Sequence, residues 1–143
     1  MRLLKLKAIL LLSLIVLTGC SSDDDGGPTG PQVSSDLYGE WTIDLIISNG
    51  ETNGNISCDD KINYKFNSNE TYIKNTFATD ESDNCIESLN ISGSWEIITE
   101  QSIMLTPNSS ELNSETIDFE LISDNEKLQI NRSENLTEIY VRP

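Results

Sequence analysis

The stretch Leu37–Ser48, LYGEWTIDLIIS, decides the fold. It begins with a Gly-x-Trp turn and continues as one segment in which every second residue is a large apolar side chain. A period of two is typical of a β-strand that buries one face, because successive side chains of a strand point to opposite sides. The alternating positions are Trp41, Ile43, Leu45 and Ile47. We therefore expect this strand to open a folded domain that covers residues 36–143.

The rest of this domain consists of similar short segments, separated by Asn, Asp, Ser and Gly, with no convincing helical period. The further predicted strands are 62–66, 71–78, 91–98, 102–106, 117–121, 128–130 and 136–142. About eight short strands joined in sequence order favour an all-β, eight-stranded antiparallel up-and-down barrel, because closure leaves no edge strand. A small antiparallel sandwich is the alternative.

The first residues have the pattern of an export signal. A short basic segment, Met1–Lys7, precedes the apolar segment Ala8–Leu17, which is too short to span a bilayer. The next residues, Leu17-Thr18-Gly19-Cys20, resemble the lipobox of bacterial lipoproteins. The resemblance implies that residues 1–19 are a signal peptide and that Cys20 becomes the lipidated N-terminus of the mature chain. An ordinary secretory leader with a chance cysteine is the alternative.

Residues 20–35 have the composition of a tether. The sequence SSDDDGGPTGPQVSS, residues 21–35, is almost free of apolar side chains, so we expect a flexible linker with a reach of roughly 20 Å. The acidic run directly after Cys20 also looks like the export signal of Gram-negative lipoproteins displayed on the cell surface; a solvated acidic spacer is the alternative. We expect a protein anchored to the outer membrane by acylated Cys20, at the periplasmic face or the cell surface.

The charge of the mature chain argues against nucleic-acid binding. Arg2, Lys5 and Lys7 lie in the leader, so residues 20–143 keep six basic against 24 acidic side chains, a formal net charge of −18. Such a surface repels phosphate backbones. The sequence contains no histidine, the usual general base and the commonest metal ligand.

Motifs that carry catalysis or hold cofactors are absent from the sequence. There is no Gly-x-Ser-x-Gly elbow, phosphate loop, dinucleotide fingerprint or Cys-x-x-Cys pair. We therefore expect no enzyme, no cofactor and no metal. Asp80, Asp83, Asn84 and Glu87 offer oxygen ligands for calcium, but their spacing matches no known loop and favours a solvated acidic loop.

The two cysteines inside the domain, Cys58 and Cys85, form an even pair once Cys20 is set aside. An exported chain meets an oxidising compartment, where such a pair usually closes. The chain-entropy model gives roughly 3.5 kcal/mol of stabilisation for a loop of this length. Two free, buried thiols are the alternative.

Several short motifs occur along the domain in a fixed order and spacing: LYGEW at 37–41, FNSNETY at 66–72, GSW at 93–95 and the segments 103–105, 119–123 and 128–130. Together they resemble the lipocalin-like domain common in secreted bacterial lipoproteins. The resemblance implies a barrel with one closed and one open end. It also implies that Gly39 and Trp41 close the floor, which is a structural role. Glu70 departs from the family pattern, which usually has Gly at that turn position.

The resemblance further implies that the interior binds a small apolar or amphipathic ligand, and we expect a monomer that does so. The candidate lining residues are Tyr64, Tyr72, Phe77, Trp95 and Phe119, although Trp95 also suits a purely structural packing role. An eight-stranded barrel has an interior that side chains can fill. The alternative is therefore a protein-interaction or structural surface domain with a filled barrel, whose binding surface is the acidic loops at Asp59–Asp60 and Asp80–Glu87.

Overall fold

The structure is a computed structural model that describes residues 34–143. It contains one helical turn and nine strands: α1 Ser34–Leu37, β1 Gly39–Ser48, β2 Glu51–Asn53, β3 Ile62–Phe66, β4 Thr71–Thr79, β5 Cys85–Thr99, β6 Ser102–Pro107, β7 Glu115–Ile122, β8 Lys127–Ser133 and β9 Leu136–Val141. None of the helical residues described forms a segment long and apolar enough to cross a bilayer. The predicted signal peptide, the lipidation of Cys20 and nearly all of the predicted linker lie outside the described residues. The linker was expected to reach residue 35, whereas α1 begins at residue 34.

Eight of the strands close into a barrel. Each of β3 to β8 pairs antiparallel with the next strand in the chain, β1 pairs with β3, and β9 returns to pair with β1. The short strand β2 lies outside this circuit and forms a hairpin with the end of β1. The predicted eight-stranded up-and-down barrel is confirmed, and the sandwich alternative is wrong because the sheet closes on itself.

The first strand changes face along its length. The register against β9 shifts between Ile43 and Leu45. A β-bulge adds one residue to one strand and therefore reverses which side chains face inward beyond it. Ile46 packs against the core as a result, so the prediction that Leu45 and Ile47 continue the face of Trp41 is wrong.

One end of the barrel, which we call the floor, is closed by Trp41. Its side chain is fully buried, and its indole Nε1 donates a hydrogen bond to the carbonyl oxygen of Leu37 at 2.8 Å. The guanidinium of Arg142, just after β9, lies 4.1 Å from the Trp41 ring centroid and donates to the carbonyl oxygens of Tyr38 and Asp36 at 2.7 and 2.5 Å. The start and the end of the domain are thereby joined at the floor.

Gly39 makes this arrangement possible. Its φ is +122°, and a Cβ built there would lie 2.6 Å from Nη1 of Arg142. A larger residue would therefore strain the backbone and displace the arginine. At the next turn, between β3 and β4, Glu70 adopts φ +62°, so a glutamate holds the left-handed position where glycine was the family expectation.

The predicted disulfide is confirmed. Cys58, in the loop before β3, is bonded to Cys85, the first residue of β5, with 5.5 Å between their Cα atoms. The predicted strands 71–78 and 91–98 leave a loop of twelve residues between them, and this loop is mostly wrong, since β4 continues to Thr79 and β5 begins at Cys85. This part of β5 is exposed on both faces, so its sequence lacks the apolar alternation by which the other strands were predicted.

Gly93 provides a test of how closely the barrel wall is packed. A Cβ at this position would lie 2.1 Å from the carbonyl oxygen of Thr106 and 2.7 Å from a ring carbon of Tyr72. We expect Gly93→Ala to lower the free energy of unfolding by about 1–3 kcal/mol, because the added methyl group would force the paired backbone of Thr106 to shift. Urea unfolding followed by tryptophan fluorescence measures this. Gly54→Ala, where no atom lies within 4 Å of the built Cβ, is the matched control. Equal unfolding midpoints for the two variants would contradict the prediction.

Candidate functional site

Charged side chains lie inside the half of the barrel that is farther from Trp41. We call this end, where β1, β4, β6 and β8 end and the intervening strands begin, the mouth. Glu115 begins β7, Arg132 lies near the end of β8, and Glu138 lies near the start of β9. Lys74 of β4 joins them through an ion pair with Glu115. Inward-facing positions of four strands thus bring two cations and two carboxylates together; we call these four residues the mouth cluster.

Arg132 is at the centre of the mouth cluster. Its Nε donates to Oε2 of Glu138 at 2.8 Å, and its Nη2 donates to the hydroxyl of Tyr64 at 2.6 Å. Nη1 lies 3.6 Å from Oε2 of Glu115. The hydroxyl of Tyr140 donates to the same Glu138 oxygen at 2.8 Å. The guanidinium is therefore fixed from three sides, with Nη1 as its least closely bonded nitrogen.

Lys74 is the second cation of the mouth cluster. Its Nζ lies 3.2 Å from Oε1 of Glu115 and 5.6 Å from the ring centroid of Tyr64. The exposed fraction of the side chain is 17% for Lys74, against 42% for Glu115. Glu115 therefore lies toward solvent, and two of the three ammonium hydrogens of Lys74 have no partner among its described contacts.

The surroundings hold both cations in their charged forms. Burial opposes the charge on Arg132, but the Tyr64 oxygen and Glu138 outweigh it and raise the pKa of the guanidinium. Burial likewise opposes the charge on Lys74, and Tyr64 together with Glu115 raises the pKa of the ammonium. Both side chains are therefore cationic at neutral pH.

Apolar side chains surround the mouth cluster. Four partly buried isoleucines in the mouth half of the barrel pack against the core: Ile46, Ile56, Ile62 and Ile91. The mouth thus combines an apolar rim with hydrogen-bond donors beside it, since Ile46 lies opposite Glu138 and Ile91 opposite Lys74 in the strand register. This arrangement is typical of pockets that orient a small molecule by a few polar contacts.

The floor half of the interior is filled by aromatic side chains. Phe66 stacks on Tyr64 with 5.7 Å between ring centroids and meets Trp95 edge-on at 5.7 Å. Phe119 and Tyr72 complete this part of the core, and neither is more than 3% exposed. The floor half of the interior is therefore occupied by packed side chains.

Four of the five predicted lining residues lie in the barrel interior, namely Tyr64, Tyr72, Trp95 and Phe119. Phe77 does not: it is outside the core cluster, and Nζ of Lys61 lies 4.9 Å from its ring centroid. Its position follows from strand alternation, since Tyr72 and Lys74 face inward and an odd-numbered residue of β4 faces the opposite side. The assignment of Phe77 as a lining residue is therefore wrong.

Trp95 differs from the other aromatic residues because its indole nitrogen has no hydrogen-bond partner among residues 34–143, although the residue is only 3% exposed. An unsatisfied buried donor costs about 1–3 kcal/mol.

The mouth cluster was missed by the analysis of the sequence, although a signal for it exists. Arg132 lies an even number of positions from Leu128 and Ile130 along the strand, so it is expected on the same face as they are. The same holds for Glu138 and Tyr140. A charged side chain at an inward-facing position of an alternating strand is rare and points to a buried polar site.

The acidic loop between β4 and β5 is closed by its own backbone. Oδ1 of Asp80 accepts hydrogen bonds from the N–H groups of Ser82 and Asn84, both at 2.8 Å, and these bonds lower the pKa of Asp80. Within residues 34–143, no three acidic, cysteine or histidine side chains lie close enough together to hold a metal ion.

Tyr72 provides a test of the interior electrostatics. Burial, with a smaller contribution from Glu115, raises its pKa from 10.0 to about 12. The folded protein therefore keeps a proton that the unfolded chain loses, so this contribution to stability is complete below pH 10 and is lost as the pH rises toward about 12. The urea concentration at the unfolding midpoint should therefore fall less steeply with rising pH in Tyr72→Phe than in the wild type. Tyr38→Phe is the control, and an unchanged slope in Tyr72→Phe would contradict the prediction.

Comparison with known proteins agrees with this geometry. A family model described as a lipocalin-like domain matches residues 37–135. The fold is similar to that of a lipocalin-like protein from Bacteroides uniformis, with a TM-score of 0.52 and 14% sequence identity over 76% of this chain and 99% of that chain. A second solved structure, an uncharacterized protein from Bacteroides eggerthii, gives a TM-score of 0.49 and 15% identity over 74% of this chain and 98% of that chain.

No curated protein matches this chain. At an identity of 14% the first of the two solved structures supports the fold alone. The family model carries more weight, because residues 37–135 make up more than half of the sequence and include Trp41 of the floor, three of the four mouth-cluster residues and seven of the eight barrel strands in full. The chain belongs to the family of lipocalin-like domains.

Proposed function

We propose that this protein is a membrane-anchored lipocalin-like binding protein that holds a small amphipathic molecule in the mouth half of its barrel. The observation that carries the proposal is the mouth cluster beside its rim of isoleucines. In this arrangement the polar end of the ligand meets Lys74 and Arg132, and its apolar part lies against Ile46, Ile62 and Ile91. Because the floor half is filled, the proposal concerns a short or bent molecule.

The energetics of buried charge support a functional role. Replacing a buried ion pair with apolar residues of similar volume is often neutral or stabilising, so such pairs add little to stability. The side chains of Arg132 and Glu138 are only 19% and 9% exposed, so removing their charges from water costs free energy that offsets their attraction. Donors that remain available on Lys74 and Arg132 favour a ligand whose polar end is a hydrogen-bond acceptor, such as a carboxylate or a carbonyl group.

Membrane anchoring is the second part of the proposal. It rests on the lipobox-like Leu17-Thr18-Gly19-Cys20, on the basic and apolar segments before it, and on the acidic residues after it. We place the protein at the outer membrane, at its periplasmic face or at the cell surface. Several acyl chains on one cysteine give stable anchoring, while the linker leaves the barrel mouth accessible.

Ligand binding is tested with a dansyl-labelled fatty acid. We expect saturable binding to residues 34–143, and a loss of affinity of about tenfold or more in Arg132→Met, the equivalent of one charge-assisted hydrogen bond. Lys127→Met is the matched control, because Lys127 pairs with Asp44 at 3.7 Å at the surface, away from the mouth cluster. Circular dichroism verifies that both variants are folded.

Two results would contradict the ligand proposal. One is equal affinity in Arg132→Met and the wild type. The other is a mass without bound lipid in native mass spectrometry of protein purified from cells, together with no binding of the labelled fatty acid.

Anchoring is tested separately by labelling cells with a radioactive fatty acid. We expect the wild type to take up label and to sediment with the outer membrane, and Cys20→Ala to lose both the label and the sedimentation. Cys58→Ala, which changes a cysteine of the folded domain, is the control and should keep the label. A labelled Cys20→Ala variant would refute lipidation at this residue.

A further inference from the structure

The first half of β5 has a free edge. β5 pairs with β4 from Cys85 to Ser94, but its pairing with β6 begins only at Gly93, opposite Pro107. Among the described residues, no strand pairs with the other side of residues 85–91. The N–H of Asn108 donates to the carbonyl oxygen of Ser92 at 2.9 Å, which marks the point where pairing on that side stops.

The backbone of this edge is available for hydrogen bonding. Ser92 directs its carbonyl toward the free side, and the peptide groups of a strand alternate between its two sides. Asn90 therefore presents both its N–H and its C=O to the free side. A row of such groups is a template for the addition of another strand.

The edge has a register shift between Glu87 and Leu89, but it lacks the two residue types that most often protect an exposed strand. Natural edge strands carry lysine or proline, but residues 85–91, CIESLNI, contain neither. Apolar side chains are instead exposed beside it, with Ile86 and Leu89 both 48% and Leu112 40% accessible. Leu89, Ile91 and Leu112 line a groove of about 430 Å³ next to the edge, which offers space for the side chains of an added strand.

The charge around the edge selects the partner. Glu87 lies within it, and acidic side chains flank it in the two loops that the disulfide joins: Asp59, Asp60, Asp80, Glu81 and Asp83. Residues 55–91 contain three basic residues. Lys65 and Lys74 lie in the barrel wall, so Lys61 is the one that lies near these acidic loops. An added strand with positive charge is therefore attracted, and a second copy of this acidic chain is repelled. The chain's own residues 20–33 carry three aspartates and no basic residue, so they do not complement the edge either.

We infer that the edge Cys85–Ile91 is a docking site for an extended, lysine- or arginine-rich segment of a partner protein, which adds to β5 as a further strand. The backbone of the edge supplies hydrogen bonds to the added strand. Apolar side chains of that strand lie in the groove, and its basic side chains pair with the acidic loops. This surface shares Ile91 with the rim of the mouth, but strand addition at the edge needs no bound ligand, so the inference does not depend on ligand binding at the mouth.

The test uses a decapeptide of alternating lysine and valine, titrated into the folded domain and followed by NMR of the backbone amides. We expect binding that weakens with added salt and that shifts the amide signals of residues 85–91. Asn90→Pro removes the N–H on the free side, and we expect it to weaken binding about tenfold or more, the equivalent of one to two backbone hydrogen bonds.

Asn90→Ala is the matched control. Like Asn90→Pro, it loses the hydrogen bond from Nδ2 to Oδ1 of Asn75 at 2.7 Å, but it keeps the backbone N–H, so it should bind as the wild type does. Glu87→Lys should weaken binding, whereas Glu96→Lys, the same charge change at the floor end of β5, should have little effect.

Three outcomes would overturn the inference. One is the absence of any shift at residues 85–91. The second is equal binding by Asn90→Pro and Asn90→Ala when both melt as folded proteins. The third is dimerisation of the wild type in sedimentation that Asn90→Pro abolishes, because a second copy would then be the occupant. Binding of the labelled fatty acid at the mouth is measured in the same variants, so failure of either proposal is seen separately.

Discussion

The pairing of β1 with β9 is the constraint on which the rest of the structure depends. It joins strands that lie at the two ends of the domain, and Arg142 strengthens the junction by its contacts with Trp41, Tyr38 and Asp36. Without this pairing the sheet would expose two long edges and its apolar face. With it, the inward side chains of all eight strands share one axis, and the floor is sealed at the point where the chain enters and leaves the barrel.

Closure also explains how the mouth cluster forms. Tyr64 belongs to β3 and Arg132 to β8, and these strands are not neighbours in the sheet. They meet because β1 and β9 lie between them on one side of a closed wall, with both side chains directed inward, so that Nη2 of Arg132 reaches the Tyr64 hydroxyl. In an open sheet the same residues would be far apart, and the charges of Arg132 and Glu138 would be solvated rather than fixed.

The fold could be predicted from the sequence because alternation is a local property. Trp41 and Ile43, or Leu128 and Ile130, identify a buried face without knowledge of the partner strand. The bulge after Ile43 could not be predicted, because it depends on the register against β9, and the inward position of Ile46 follows from it.

The candidate site was harder to predict for the same reason. Tyr64 and Trp95 were identified by aromatic character and parity, whereas Phe77 was misplaced because an apolar residue on a strand was taken to face inward. Arg132 and Glu138 were overlooked because a charged residue on a strand is usually on the solvated face. Which face each strand buries is decided by closure, and closure involves residues about a hundred positions apart.

The disulfide lies where the barrel contributes least to stability. Residues 85–91 extend beyond the last pairing with β6, and all of them except Ile91 are exposed, so burial contributes little to holding them against β4. An isolated two-stranded hairpin is only marginally stable in water. The bond from Cys58 to Cys85 fixes the tip of this hairpin to the loop before β3, and the hydrogen bond from the N–H of Thr79 to Asp59 at 3.1 Å joins the same two segments. An exposed strand edge can therefore keep a defined position without a hydrophobic core beneath it, as a surface that adds a strand from a partner requires.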